Sequence, residues 1–408
     1  MNPLLLVDSY KVHHTRMYPE GMTKLYSNFT PRKSRIDGID KVVVFGIQHF
    51  VLEYLIKQFN EEFFDKSEKP LLEGYQRHCQ VDVQHLKNLY DLGYLPIEIK
   101  ALDEGTLCPI GVPMMTITNT HPDFGWLVNY LETLISCMLW QPVTSATIAY
   151  EYKKILNKYA LETTGNTEGV QWQGHDFSMR GMSSVESAIL SGMGHLTSFT
   201  GTDTIPAIYQ LETSYKADGL IGASVPATEH SVMCMGTKES EIATFKRLLD
   251  LYPSGILSIV SDTWDLWKVC TEYLPQLKED ILARDGKLVI RPDSGDPVDI
   301  ICGIQHKPFV QFPDKYNKLS EKEMIEQPDF KGVVELLWDI FGGTTNEQGY
   351  KVLDPHIGAI YGDSITIDRA VQICERLKAK GFASTNIVLG IGSYTYQYNT
   401  YFNNCKTF

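Results

Sequence analysis

Ser258-Ile259-Val260-Ser261-Asp262 and Leu288-Val289-Ile290-Arg291-Pro292-Asp293-Ser294-Gly295-Asp296 follow one plan. A β-branched apolar run, long enough for a buried strand, ends abruptly in a cluster of Ser, Asp, Arg or Gly. The plan recurs at His175-Asp176-Phe177-Ser178-Met179-Arg180-Gly181, Gly201-Thr202-Asp203-Thr204 and Ser224-Val225-Pro226-Ala227-Thr228-Glu229-His230. It returns at Gly362-Asp363-Ser364 and Gly390-Ile391-Gly392-Ser393, and a helical pattern usually follows each cluster. Repeated strand-then-helix units predict a parallel sheet, and their number predicts a closed or nearly closed α/β barrel. Residues 303–350 break the spacing. Their Lys/Glu/Pro-rich stretch and a helix over Val333 to Phe341, stopped by Gly342-Gly343, predict an insertion.

Upstream of the barrel the texture is α+β. Val42 to Phe45 reads as a strand leading through Gly46 into a helix that carries Phe50, Val51, Tyr54 and Leu55. Short alternating runs between Tyr94 and Thr118 predict an antiparallel sheet with tight turns at Glu104-Gly105 and Gly111-Val112-Pro113. Two amphipathic helices are expected next, one carrying Trp126 to Met138 and one Ile148 to Tyr159. The predicted organisation is an α+β domain over residues 1–160, the barrel over 161–396 and an atypical tail over 397–408.

Composition narrows the function. A formal net charge of -13, from 37 basic against 50 acidic residues, excludes a general nucleic-acid binder. The eight cysteines are scattered without C-x-x-C pairs, which predicts reduced thiols and a cytoplasmic protein. The apolar stretch Leu4 to Val7 is too short for a signal peptide, and no segment approaches a membrane span. P-loop, H-E-x-x-H, G-x-S-x-G and strand-linked G-x-G-x-x-G signatures are absent.

In α/β barrels the reacting groups sit at the C-terminal strand ends, where these clusters fall, so the clusters converge on one mouth. Arg180 and Arg291 suit a phosphate or pyrophosphate held in bidentate fashion, or else structural salt bridges to neighbouring aspartates. Gly390 to Ser393 and Gly362-Asp363-Ser364 could present backbone N–H groups to phosphate. Asp203, Asp262, Asp293 and Asp363 could hold Mg2+ or a ribose hydroxyl, or simply cap helices. His230, beside Glu229, is a candidate catalyst, and Phe177 is either core or a platform for a flat ring. The substrate expected is small, phosphorylated and sugar-bearing.

Taken together and in order, these motifs resemble the nicotinamide phosphoribosyltransferase family. The likeness begins at Asp8-Ser9-Tyr10-Lys11, includes every cluster above, and runs to about Thr400. It implies the type II phosphoribosyltransferase fold and the reaction of nicotinamide with phosphoribosyl pyrophosphate to give nicotinamide mononucleotide and pyrophosphate. It also implies Mg2+, coupling to ATP, and a homodimer whose subunits complete each other's active sites. By the same likeness Phe177 stacks on the nicotinamide ring, with Tyr10 from the other subunit opposite, and Asp203 accepts from the carboxamide. A carboxylate there would repel nicotinate, which favours the amide over the acid. Arg180 and Arg291 would bind phosphate or pyrophosphate, Asp293 the ribose and metal region, and Gly362, Asp363, Gly392 and Ser393 the mononucleotide. Asp8, Ser224 and Ser258 stand in matching motifs as substrate-binding positions. His230 would take the phosphoryl group of ATP, oriented by Glu229 and Asp262.

The likeness stops at the end of the chain. Tyr401 stands where the family has a phosphate-binding Arg, and Tyr401 to Phe408 resembles nothing in it. The expectation is a truncated product with exposed apolar surface, weak stability and impaired activity. The alternatives are a nicotinate or quinolinate phosphoribosyltransferase and an inactive nucleotide-binding homologue.

Overall fold

The computed structural model describes residues 1–305, 316, 319–362 and 364–397. Asp363 and the stretch from Tyr398 to Phe408, on which the expectation of a truncated end rests, lie outside the described residues. Two compact units divide the chain. The first contains Met1–Ile148, Ile189–Thr197 and Pro206–Gly219, and the second Ala149–Ala188, Ser198–Ile205 and the chain from Leu220 onward.

In the first unit, strand Met115–Asn119 is the centre of a three-stranded antiparallel sheet, flanked by Tyr26–Phe29 and Ile97–Ala101. Its burial alternates residue by residue, Met115, Ile117 and Asn119 being buried, as a sheet with one face on the core requires. Val42-Val43 lies in strand Lys41–Val43, paired with Leu107–Pro109, and the chain turns through Gly46 into helix Ile47–Phe50. The carboxylate of Glu104 accepts from the backbone N–H groups of Gly46 (2.9 Å) and Gln48 (2.7 Å) at that helix start. Negative charge is favourable there because the first-turn amides have no partner inside the helix. Phe50, Phe59, Phe63, Leu86, Leu89 and Leu127 form the fully buried heart of this unit.

The pair of helices expected over 126–159 is arranged differently. A short helix, Gly125–Tyr130, precedes one helix of 33 residues, Glu132–Thr164, with Pro142 inside it. A proline there removes one hydrogen bond of the helical ladder. Burial of residues along the helix, from Leu134, Ile135 and Leu139 to Tyr152, Leu156 and Tyr159, outweighs that loss.

The second unit holds the barrel. Six parallel strands lie in the order Gly201–Thr202, Gly174–Asp176, Ile387–Ile391, Ile357–Tyr361, Asp285–Arg291, Ser254–Val260. The two edges of this sheet are joined by the segment 223–228. The Ala223 carbonyl accepts from the Thr202 N–H and the Ala223 N–H donates to Thr200; at the segment's other end the Thr228 N–H donates to Ser258, and the Ser258 N–H to Pro226. Each stave therefore neighbours the one that follows it in sequence, and the last returns to the first. The expected barrel is present, closed by a stave too irregular to form a regular strand because Pro226 lacks an N–H. Within the predicted insertion, helix Pro328–Phe341 is interrupted at Gly332, whose φ is 76°, and ends at Gly342, whose positive φ of 70° favours the glycine that the Gly-Gly pair supplies.

Candidate functional site

Because all the staves run the same way, their polar C-terminal ends share one rim. A pocket of about 330 Å3 opens there, lined by Phe177, Arg180, Asp203, Glu229, Arg291 and Gly362 together with Met179, Ala227 and Thr228. Six residues marked in the sequence for separate reasons thus meet in one cavity. A larger groove of about 680 Å3 in the first unit, between the helical stretch after Ile47 and strand Ile97–Ala101, is mostly aliphatic and has no basic side chain.

Phe177 follows strand Gly174–Asp176, and its N–H donates to the Ile391 carbonyl. The Arg291 guanidinium lies 5.2 Å from the centre of the Phe177 ring, and the His175 ring 4.6 Å from it. A side chain at Gly390 would collide with the Phe177 ring, since its Cβ would fall 2.7 Å from Cδ2. The phenyl plate is therefore held from three sides.

Arg291 ends its strand and is 8% exposed. Its Nη1 donates weakly to the Thr228 carbonyl (3.4 Å), and among the described residues its buried Nε has no partner. Among the described residues neither Arg291 nor Arg180 has a carboxylate at ion-pair distance. A buried guanidinium with an unused N–H is costly in the empty protein and is suited to an anion that supplies the missing oxygens.

Asp203 sits at the end of the two-residue strand Gly201–Thr202. Its Oδ1 accepts from Ser224 and lies 2.9 Å from His175 Nε2. Burial pushes its carboxyl up, but the hydrogen bonds from His175 and Ser224, with the nearby Arg291 guanidinium, outweigh burial and hold it below the ordinary value. Asp203 is therefore ionised at neutral pH. His175, marked in the sequence only as part of its cluster, gains this role from strand register, which the sequence does not display. Asp176, from the same cluster, is fully buried and accepts from Ser178 N–H and from the hydroxyls of Thr202 and Thr204. It ties two strand ends together.

A second polar group lies beside the pocket. Asp262 is 6% exposed at its side chain; one oxygen faces His230 Nε2 at 3.2 Å and the other accepts the Asp293 N–H at 3.0 Å. Glu229 stands at the N-cap position of the short helix His230–Cys234, and its carboxylate accepts from the Ser231 hydroxyl instead of capping the helix amides. Asp293 packs against Gly362, where only a glycine leaves room for it. Ser258 carries a buried hydroxyl without a partner. Gly392 precedes the turn Ser393–Tyr396, and Ser393 is buried. Asp8 and Tyr10 belong to the first unit: Asp8 accepts from Thr133, and Tyr10 is 57% exposed on the helical turn Ser9–Arg16. Among the described residues no group of three His, Cys, Asp or Glu side chains could enclose a metal ion.

Comparison with known proteins bears on both units. Residues 172–407 match the nicotinate phosphoribosyltransferase (NAPRTase) family, and residues 2–99 match the nicotinamide phosphoribosyltransferase N-terminal domain. The chain is 52% identical to the nicotinamide phosphoribosyltransferase of Acinetobacter baylyi over 98% of its own length and 80% of that protein's. It is 38% identical to the enzyme of the same name from Mycoplasma pneumoniae, over 97% of its length and 85% of the other's. In three dimensions it resembles human nicotinic acid phosphoribosyltransferase, with a TM-score of 0.55 at 14% identity over 94% of this chain and 72% of that one. It also resembles nicotinate-nucleotide pyrophosphorylase from Pyrococcus furiosus, with a TM-score of 0.54 at 13% identity over 96% and 72%. At those identities the likeness is one of fold.

Proposed function

The chain belongs to the nicotinamide phosphoribosyltransferase family, phosphoribosyl-transferring enzymes of NAD salvage, and from that premise we propose that its barrel mouth is where nicotinamide and phosphoribosyl pyrophosphate react. The observation that carries this reading is the meeting, in one pocket, of a phenyl plate, an ionised carboxylate and a buried guanidinium with an unused N–H. The pyridine ring stacks on Phe177 and its carboxamide N–H2 donates to Asp203, which leaves the ring nitrogen free to attack C1 of the ribose. Arg291 and Arg180 take the phosphates. As the C1–O bond to pyrophosphate breaks, positive charge grows on the ribose and negative charge on the leaving group, and fixed guanidinium groups stabilise the latter without reorganising.

Mg2+ fits this site through Asp293. One protein carboxylate together with substrate oxygens and water is the usual arrangement for this ion, which keeps several waters and seldom takes an all-protein cage. Bound there, Mg2+ would neutralise charge on the pyrophosphate. Asp293 itself is positioned by Asp262 through its backbone N–H. We further propose that His230, oriented by Asp262 and flanked by Glu229, accepts the phosphoryl group of ATP. Two copies would pair so that Tyr10 of the partner subunit covers the open face of the pyridine ring. The exposure of Tyr10 in the single chain supports this. We propose a cytoplasmic setting for the reaction, a reading supported by free thiols at Cys79, Cys108, Cys137, Cys234, Cys270, Cys302 and Cys374.

The test is mass spectrometry of mononucleotide formed by the purified chain with Mg2+ and phosphoribosyl pyrophosphate, given nicotinamide or nicotinate in parallel, with and without ATP. Product from nicotinamide alone is expected. Product from nicotinate alone would overturn the role of Asp203, and no product from a folded chain would favour an inactive nucleotide-binding homologue.

A further inference from the structure

We propose that His175 is the positioning residue for the carboxylate that reads the substrate amide: reaching across Gly201, it holds Oδ1 of Asp203 and leaves Oδ2 for the carboxamide, and so sets the choice of amide over acid. This rests on the assignment of Asp203 to the carboxamide made above.

The geometry follows from register. His175 and Gly201 are directly paired across two parallel strands, and Asp203 lies two residues beyond Gly201, diagonal to His175. Diagonal positions are within reach of an aromatic or long side chain, and a small residue directly opposite eases the approach. Gly201 does so: a Cβ there would fall 2.7 Å from His175 Nδ1 and 3.2 Å from Cγ, so the imidazole lies over the bare backbone. From there Nε2 reaches Asp203 Oδ1 at 2.9 Å.

The division of labour between the two oxygens is informative. Both donors, His175 and Ser224, are on Oδ1, and among the described residues no hydrogen bond is made to Oδ2. The anchor is nearly buried, with the His175 side chain 12% exposed, whereas the Asp203 side chain is 43% exposed. The buried group thus fixes the open one. His175 also lies beside the Phe177 ring, so one imidazole sets both the plate and the carboxylate that reads the ring's substituent. Without His175 the carboxylate keeps only Ser224, can rotate, and is more easily protonated. A protonated Asp203 can donate to a substrate carboxylate, so discrimination against nicotinate weakens.

The experiment measures kcat and KM for nicotinamide and for nicotinate, and KM for phosphoribosyl pyrophosphate, on the full chain carrying His175→Ala, His175→Gln, Asp203→Asn, Asp203→Ala, the double variant His175→Ala/Asp203→Ala, and Gly201→Ala. Loss of a hydrogen bond to a charged group predicts that His175→Ala raises the nicotinamide KM roughly ten- to hundredfold and narrows the preference for nicotinamide. KM for phosphoribosyl pyrophosphate is expected to stay within about twofold, which a general loosening of the fold would not allow. His175→Gln, which keeps an N–H donor, restores part of the loss, and Gly201→Ala reproduces it by crowding the ring. If His175 acts through Asp203, its replacement in the Asp203→Ala background, where no acceptor is left for it to hold, changes the nicotinamide KM by less than about threefold. An undiminished effect in that background, a parallel rise in both KM values, or a silent His175→Ala beside a damaging Asp203→Asn would overturn the role of His175 alone. An Asp203→Asn enzyme that keeps its full preference for nicotinamide would overturn the carboxamide assignment, and this proposal with it.

Discussion

His230 Nε2 lies 3.2 Å from Oδ1 of Asp262, while Oδ2 of the same carboxylate accepts the backbone N–H of Asp293. One buried acid therefore orients the proposed phosphoryl acceptor and the loop that carries the proposed metal ligand. An asparagine amide can accept the Asp293 N–H with its oxygen, but its N–H2 can then only donate to His230 Nε2. Asp262→Asn therefore loses the charged acceptor for an Nε2–H and favours the tautomer with the proton on Nδ1. Loss of one charged hydrogen bond predicts that the variant loses on the order of ten- to hundredfold in ATP-stimulated rate. Initial rates with and without ATP check this. An Asp262→Asn enzyme stimulated by ATP to the wild-type extent would remove Asp262 from the coupling.

Arg291 shows the tension between stability and function. Its guanidinium is almost buried and among the described residues its Nε has no partner, so the protein without substrate bears an unsatisfied polar group that bound phosphate would relieve. Replacement by a methionine of similar length should abolish turnover and raise KM for phosphoribosyl pyrophosphate. It should leave the apo Tm unchanged or raise it, by about 2–4 °C for each kcal/mol regained. Calorimetry of the two apo proteins is the measurement. A large drop in Tm for Arg291→Met would mean that the guanidinium is structural.

The barrel is legible in the sequence because a parallel strand buried on both faces writes itself as an uninterrupted apolar run, and its C-terminal end as a polar cluster. The C-terminal halves of Ser254–Val260 and Asp285–Arg291 illustrate this: their last four residues are buried, the strands pair along their whole length, and the clusters follow at once. The stave 223–228 is visible as a cluster but not as a strand, because Pro226 and the polar residues around it erase the apolar run. Contacts that depend on register are not legible at all. Nothing in His175-Asp176-Phe177 tells which residue of Gly201-Thr202-Asp203 each will face, and a slip of one residue would exchange His175 for Asp176 over the pocket. The long helix was hidden for a different reason: Pro142 breaks the local pattern, and only burial along both halves of the helix carries it through.

The titration of Asp203 makes a signed prediction about acid stability. Its carboxyl is held below the ordinary value by His175, Ser224 and Arg291 against the opposing effect of burial. A depressed acid adds stability that is fully present above the unfolded value, about 3.9, and is lost as pH falls through the lowered folded value. The stability difference between wild type and Asp203→Asn should therefore be flat from neutral pH down to about 5, and shrink below about 4. Denaturant titrations followed by circular dichroism across that range decide the matter. A difference that grows toward low pH would reverse the sign and contradict the hydrogen-bonded, ionised state.

Gly390 offers a test of the phenyl plate that replaces none of the side chains proposed to contact substrate and acts on Phe177 only by crowding it. A Cβ at this position would lie 2.6 Å from the Tyr361 carbonyl oxygen, 2.7 Å from Phe177 Cδ2 and 2.9 Å from the Gly362 Cα. Two of these neighbours are backbone of the adjacent strand and its end, held by the barrel, so the phenyl ring is the part that can yield. Gly390→Ala should cost about 1–3 kcal/mol in stability, the usual result of overpacking. It should also raise KM for nicotinamide more than KM for phosphoribosyl pyrophosphate, because the displaced ring is the surface on which the pyridine is proposed to stack. Phe177→Leu removes the plate without crowding the glycine, and should show the same KM pattern with a smaller loss of stability. If Gly390→Ala destabilises the chain but leaves both KM values unchanged, Phe177 is packing for the barrel mouth, and the pyridine ring stacks elsewhere.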